Sequence, residues 1–134
     1  MLTRRDLVGC ALCALAGFAA TDAGAQGTQT GGLKRTILTR IDGPTPGYET
    51  IEAKVEIDAG AIIAKHTHFG VETTFVVDGS LYFEAAGQEP KTYSKGEAIQ
   101  VAPGVVHGGK AGDAPVLLSA VYVVEKGKPL ATPA

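Results

Sequence analysis

Alternating apolar and polar positions recur in short stretches along the chain. The clearest stretch is 48–58 (YETIEAKVEID), where apolar residues occupy every second position from Ile51 to Ile57 and charged residues lie between them. Every second side chain of a β-strand lies on the same face of its sheet, so this pattern predicts a half-buried strand with a charged outer face. The range 116–124 is nearly all apolar, which predicts a strand at the centre of a sheet.

Further short strands are predicted at 34–41, 61–68, 73–77, 81–85, 92–94 and 97–101. The connections between them are rich in turn residues, as in DGPTPG at 42–47. Asp78-Gly79 predicts a tight hairpin that pairs the strand before it with the strand after it. No segment has helical periodicity over three turns. The predicted fold class is therefore all-β, as a sandwich or a barrel.

Residues 1–25 have the pattern of a bacterial export signal: two arginines, an apolar stretch and the cleavage-type sequence AGA ending at Ala25. The apolar stretch is too short to span a membrane comfortably. We therefore expect a mature protein without a transmembrane span, located in the periplasm or secreted. The sequence around Arg4 and Arg5 (TRRDLV) resembles the twin-arginine motif, which exports folded proteins; a general secretory signal with adjacent arginines is the alternative. Both cysteines, Cys10 and Cys13, lie in this segment, so no disulfide is expected after cleavage.

The rest of the chain is predicted to form one domain. We expect residues 26–33 to form a flexible leader, 34–125 to form the β-domain and 126–134 to form a tail. A chain of 134 residues has room for one domain of ordinary size. Its formal net charge is −2 and it has no cluster of lysine and arginine, which argues against nucleic-acid binding through phosphate contacts. We expect a small-molecule substrate or ligand instead.

All three histidines lie near glycine-framed turns. His66 and His68 are two residues apart and share a face if 61–68 is a strand, and Glu72 follows after a short turn. His107 follows a Pro-Gly turn. A lone histidine in a strand is more often a surface or hydrogen-bonded residue than a ligand. The His66–His68 pair together with Glu72 and His107 favours a site for a borderline divalent transition metal.

The same residues resemble the signature motifs of the cupin superfamily. The first motif is matched at every fixed position: Gly60, five residues, His66-Thr67-His68, three residues, Glu72, six residues and Gly79. The second is similar to Gly96 through His107, with Ala102 where proline is usual and Ala111 where asparagine is frequent. The resemblance implies a jelly-roll β-barrel over about 34–125 that holds one metal ion. It also implies a homodimer, for which the strand at 116–124 and the tail are candidate contacts.

The implied ligands are His66, His68, Glu72 and His107, for one divalent ion among Fe, Mn, Ni, Co, Cu and Zn. Glu72 is either a ligand or a base beside the metal. Alternation along the strands predicts four pocket residues: Ile62, Ala64, Thr74 and Val76.

Substrate class is inferred from what surrounds these motifs. The arginines of the predicted domain, Arg35 and Arg40, lie on the first strand, outside the motifs. No arginine clamp for a carboxylate or phosphate is therefore expected, which favours a small neutral or aromatic substrate. Tyr82, Tyr93 and Tyr122 are expected to pack in the barrel or at an interface; the alternative is that one of them supplies a hydroxyl at the pocket.

Three functions remain open at this point. The first is a metal-dependent enzyme, an oxygenase acting on a small organic substrate, which would consume O2. The second is a non-enzymatic protein that binds a metal or small ligand without turnover. The third is a metal-assisted hydrolase or isomerase, which would turn over without O2.

Overall fold

Every regular element of the described chain is a β-strand, so the all-β prediction is confirmed. The structure is a computed structural model that describes residues 27–134; the predicted export signal lies outside the described residues. The strands are β1 (Gly27–Thr30), β2 (Leu33–Asp42), β3 (Tyr48–Ile57), β4 (Ile62–Thr67), β5 (Gly70–Asp78), β6 (Ser80–Ala85), β7 (Lys91–Ser94), β8 (Ala98–Val101), β9 (His107–Ala111), β10 (Val116–Glu125) and β11 (Thr132–Pro133). Within this range, no helix is long and apolar enough to cross a membrane.

Two antiparallel sheets form the fold. The six-stranded sheet has the order β1-β2-β3-β10-β5-β8, and the five-stranded sheet has the order β11-β4-β9-β6-β7. The apolar strand β10 lies between β3 and β5, inside the larger sheet, as predicted.

Side chains alternate between the core and the outer face along β3 and β10. The alternate apolar positions from Ile51 to Ile57 are buried, while the charged positions between them are only half-buried. Tyr122 is opposite Ile51 in the register of the two strands, and both are among the largest fully buried side chains. The hydrophobic core therefore lies on the inner faces, where burial of apolar area stabilises the pairing of the sheets.

The turn at Asp78-Gly79 does not make the predicted hairpin. Strand β5 pairs with β10 and β8 in one sheet, whereas β6 pairs with β7 and β9 in the other. Gly79 has a φ of 82°, and an added Cβ would overlap the carbonyl oxygen of Pro115. The tight turn therefore carries the chain from one sheet to the other, a choice that local turn chemistry does not encode.

Both ends of the described chain are part of the sheets, unlike the predicted flexible leader and tail. Strand β1 pairs with β2 after a turn at Gly31-Gly32. Strand β11 pairs with β4, and Leu130 packs against the core. Edge strands are held mainly by backbone hydrogen bonds, which do not require apolar side chains. The polar, glycine-rich sequence at 26–33 therefore gives no signal for strand β1.

Candidate metal centre

The four predicted ligands meet on the inner side of the fold. His66 lies on β4, Glu72 on β5 and His107 at the start of β9, while His68 immediately follows β4. His66 is directly opposite His107 in the β4–β9 register. One ligand atom from each of the four residues lies within 4.8 Å of all the others. The turn between β4 and β5 thus brings a carboxylate from one sheet to the three imidazoles of the other.

A bulge in β4 decides which residues precede the histidines on the inner face. Ile63 is paired with Gly109 and His66 with His107, so three steps along β4 match two along β9. The extra residue reverses the alternation. Ile62 is 67% exposed and Ala64 is also exposed, and Ile63 lines the cavity instead. The prediction that Ile62 and Ala64 are pocket residues is therefore wrong.

Each imidazole is oriented by a backbone carbonyl. Nδ1 of His66 donates to the carbonyl of Ala64 and Nδ1 of His107 to that of Val105, both at 2.8 Å. Nδ1 of His68 donates to the carbonyl of Leu130. A carbonyl only accepts hydrogen bonds, so Nδ1 carries the proton and Nε2 of each neutral ring keeps a free lone pair. These Nε2 atoms are the ones available to a metal.

Glu72 faces two of these nitrogens. Its Oε2 lies 2.9 Å from Nε2 of His68 and 3.1 Å from Nε2 of His107. The contact between Glu72 and His68 lacks hydrogen-bond geometry, so the buried Nε2 of His68 has no hydrogen-bond partner. Nε2 of His107 makes a hydrogen bond to Oε2 only when that ring is protonated on both nitrogens. When both rings are neutral, two lone pairs are directed at the carboxylate and repel it unless a cation lies between them. The donor set therefore fits a divalent ion, which would satisfy the buried Nε2 and the carboxylate together.

The pKa shifts follow from this arrangement. Burial raises the pKa of Glu72, but its contacts with His107, His68 and Thr74 outweigh burial and hold that pKa well below its usual range. Burial is the main cause of a lowered pKa for His66. Burial also acts to lower the pKa of His107, but its hydrogen bonds to Glu72 and to the carbonyl of Val105, together with the negative charge of Glu72, raise that pKa overall. Glu72 is thus a carboxylate at neutral pH, which suits a ligand better than a base.

A small cavity of about 30 Å³ adjoins the cluster. Its walls are mostly apolar, and Thr74 is one of them as predicted. Val76 lies on the same face of β5 but is fully buried in the core rather than at the cavity. Tyr122 also lines the cavity, and burial raises the pKa of its hydroxyl further above its ordinary value. Of the other tyrosines, Tyr82 is 42% exposed.

Arg35 also lines this cavity, contrary to the expectation that both arginines of the first strand lie away from the site. Arg35 alternates with the apolar residues Leu33 and Ile37 on β2, and all three are half-buried. This alternation is the only sequence pattern that indicates an inward-facing Arg35. The pattern is weak because β2 is irregular, with a shift in its register with β3 between Ile37 and Thr39.

Comparison with known proteins shows which family and which solved structures this fold resembles. The model of the family described as cupin domain matches residues 53–125. An RmlC-like cupin from Shewanella frigidimarina superposes with a TM-score of 0.61 at 22% identity, over 77% of this chain and 86% of that chain. KdgF from Halomonas sp. gives 0.61 at 23% identity, over 76% and 88%. The DMSP lyase DddQ from Ruegeria pomeroyi gives 0.67 at 18% identity, over 82% and 61%. No curated protein sequence matches the chain significantly. At these identities the likeness concerns the fold alone.

Proposed function

The chain belongs to the cupin domain family, and from this premise we propose that it is a metal-dependent enzyme acting on a small organic substrate. One divalent transition-metal ion would be held by Nε2 of His66, His68 and His107 and by the carboxylate of Glu72. The observation that carries the proposal is the convergence of these ligand atoms with every Nδ1 already engaged by a backbone carbonyl. Rings fixed in this way have one nitrogen left for the ion.

Three neutral nitrogens and one anionic oxygen suit Fe, Mn, Co, Ni, Cu or Zn better than Mg or Ca. Ions that take five or six ligands keep positions open beside four protein ligands. When bound, the metal would supply Lewis acidity and, if redox-active, electron transfer at those open positions.

The chain's own residues prepare this site. Thr74 donates a hydrogen bond of 2.6 Å to Oε1 of Glu72 and fixes its orientation. Tyr122 lines the cavity, and its hydroxyl, protonated at neutral pH, is able to donate to a substrate there. The walls of the cavity are mostly apolar. Apolar walls disfavour water beside the reacting groups, which favours an oxygenase reaction over hydrolysis, since hydrolysis needs water beside the substrate.

Elemental analysis of the protein purified without chelators tests the proposal. We expect about one equivalent of a transition metal in the wild type and a large loss in His107→Ala and Glu72→Gln. Oxygen consumption is then screened with small organic substrates, and the same substrates are screened without O2. Turnover only with O2 supports an oxygenase, and turnover without O2 indicates a hydrolase or isomerase. A loaded protein that binds ligands without turnover is a binding protein, and an unmetallated protein after reconstitution contradicts the metal site.

Export and dimerisation complete the proposal. Cleavage after Ala25 leaves β1 intact, because that strand begins at Gly27. The mass of the protein recovered from periplasm tests cleavage, and replacing both Arg4 and Arg5 with lysine separates the twin-arginine route from general secretion. We propose that the homodimer forms through apolar residues on the outer face of β5 and β10. Phe75 on β5 is 45% exposed, and Val71 lies beside Val123 in the register of the two strands. We expect light scattering to show a dimer that Phe75→Glu dissociates.

A further inference from the structure

Arg35 is a charged residue in an apolar stripe. It faces inward from β2 between Leu33 and Ile37 and is opposite Val55 on β3. Both Arg35 and Val55 line the cavity beside the metal-ligand cluster. Burying a guanidinium among apolar side chains costs free energy unless it is paired. An apolar residue would serve the core better at this position, so the charge needs another explanation.

The guanidinium lacks an anionic partner within residues 27–134. Its Nε is inaccessible to solvent and has no hydrogen-bond partner, and no carboxylate of the described chain makes an ion pair with it. It lies against Tyr122, with Cζ 5.7 Å from the ring centre. Arg40 on the same strand is the contrast, because it binds both carboxylate oxygens of Glu49 at 3.1 and 3.0 Å. The Nε–H of Arg35 thus has no acceptor within residues 27–134.

The charge of the loaded cavity points the same way, and this step rests on the proposed function. A divalent ion adds two positive charges, Glu72 offsets one and Arg35 adds another, which leaves an excess of about two positive charges in an apolar cavity. A bound anion would offset that excess. A planar carboxylate also matches the fork of a guanidinium, which binds both of its oxygens.

We propose that the site takes a small carboxylate, whose carboxylate group is bound by Arg35. The cavity of about 30 Å³ limits that ligand to a few heavy atoms. This replaces the neutral or aromatic substrate that the sequence favoured. Arg35 is therefore a specificity-determining residue, supplied by a strand outside both histidine motifs.

Titration calorimetry with the full chain loaded with Zn²⁺ tests the inference, because zinc is redox-inactive and binding is measured without turnover. The probes are acetate, glycolate, the neutral isostere acetamide and inorganic phosphate. We expect Arg35→Met to weaken acetate and glycolate binding roughly 10–100-fold, as for loss of a charge-assisted pair, and Arg35→Lys to restore part of it. Arg40→Met is the matched control and should bind both carboxylates like the wild type. Acetamide should bind no more tightly to the wild type than acetate binds to Arg35→Met.

The outcomes separate this inference from the metal proposal. Arg35→Met with wild-type zinc content and wild-type acetate affinity would overturn the inference and leave the metal site standing. Tighter binding of phosphate than of either carboxylate, dependent on Arg35, would also overturn it. If the wild type takes up no metal, the same titration of metal-free protein decides: Arg35-dependent acetate binding supports the inference, and its absence overturns it. Met suits the apolar stripe, so equal melting temperatures should show that the variants fold.

Discussion

The backbone carbonyl of Leu130 accepts a hydrogen bond from Nδ1 of His68, across 62 positions of sequence. The end of the chain holds Leu130 in place. Thr132 and Pro133 pair with Thr67 and His66, and the amide of Ala134 donates to the carbonyl of Lys65 at 3.1 Å. The last residues of the chain therefore orient one of the candidate ligands.

Deleting residues 129–134 should weaken metal binding. Without the Leu130 carbonyl, the ring of His68 is free to rotate and to change tautomer, and loss of an outer partner of this kind costs roughly 10–100-fold in metal affinity. Competition with a fluorescent zinc chelator measures the affinity, and circular dichroism checks that the sheets remain folded.

Leu130→Ala is the matched control for the deletion. It keeps the carbonyl and removes only a side chain that packs against the core. We expect it to lose up to about 2 kcal/mol of stability, since the site is only partly buried, and to keep wild-type zinc affinity. A folded deletion variant that binds zinc like the wild type would show that the carbonyl does not position His68.

Thr74→Val should weaken the metal site with little change in shape. Valine is nearly isosteric with threonine but cannot donate the 2.6 Å hydrogen bond to Oε1 of Glu72. We expect zinc affinity to fall about 10-fold, as for other partners of a ligating carboxylate. Thr73→Val is the control, because Thr73 lies on the opposite face of β5. Equal affinities of the two variants would contradict the role given to Thr74.

Strand β4 carries one residue pattern that the sequence predicts correctly and one that it does not. The motif spacing identified His66, His68, Glu72 and His107, because ligand chemistry and strand alternation both act over a few residues. Alternation along β4 alone places Ile62 and Ala64 on the inner face, which is wrong. The bulge that moves them outward depends on the pairing of β4 with β9, and the local sequence of β4 does not reveal that pairing.

Long-range pairing explains the other differences. Asp78-Gly79 has the composition of a hairpin turn, yet which sheet receives β6 depends on its pairing with β9. Arg35 and Leu130 reach the site from opposite ends of the described chain. Their roles follow from how the sheets close, and no spacing within the histidine motifs encodes them.

The metal-free protein should be most stable near the ordinary histidine pKa, about 6.5. The pKa of His107 is raised, so its contribution to stability is present below the ordinary value and is lost as pH rises through the folded pKa. The pKa of His66 is lowered, so its contribution is present above the ordinary value and is lost as pH falls through the folded pKa. Melting temperatures of chelator-treated protein from about pH 5 to 8 measure this.

The stabilisation that zinc adds should instead grow with pH. Binding requires neutral imidazoles, so protons on His107 compete with the metal until pH exceeds its raised pKa. The difference in melting temperature between loaded and metal-free protein should therefore increase across this range. A constant difference would contradict the proposal that His107 is a ligand.

Gly70→Ala should destabilise the fold and the site together. A Cβ at Gly70 would overlap the carbonyl oxygen of Val123 and lie 2.7 Å from Cα of Val124. Backbone atoms of β10 cannot move aside cheaply, so we expect a loss near the upper end of the roughly 1–3 kcal/mol that overpacking costs. Gly70 lies between His68 and Glu72, so relief by shifting β5 should also lower zinc affinity. Gly112→Ala is the control: its nearest contact, Oγ of Ser80 at 3.3 Å, is a side chain that is able to rotate, and we expect a change within about 0.5 kcal/mol. Urea unfolding and zinc titration of both variants measure this, and equal stability of the two would mean that β5 and β10 separate there at little cost.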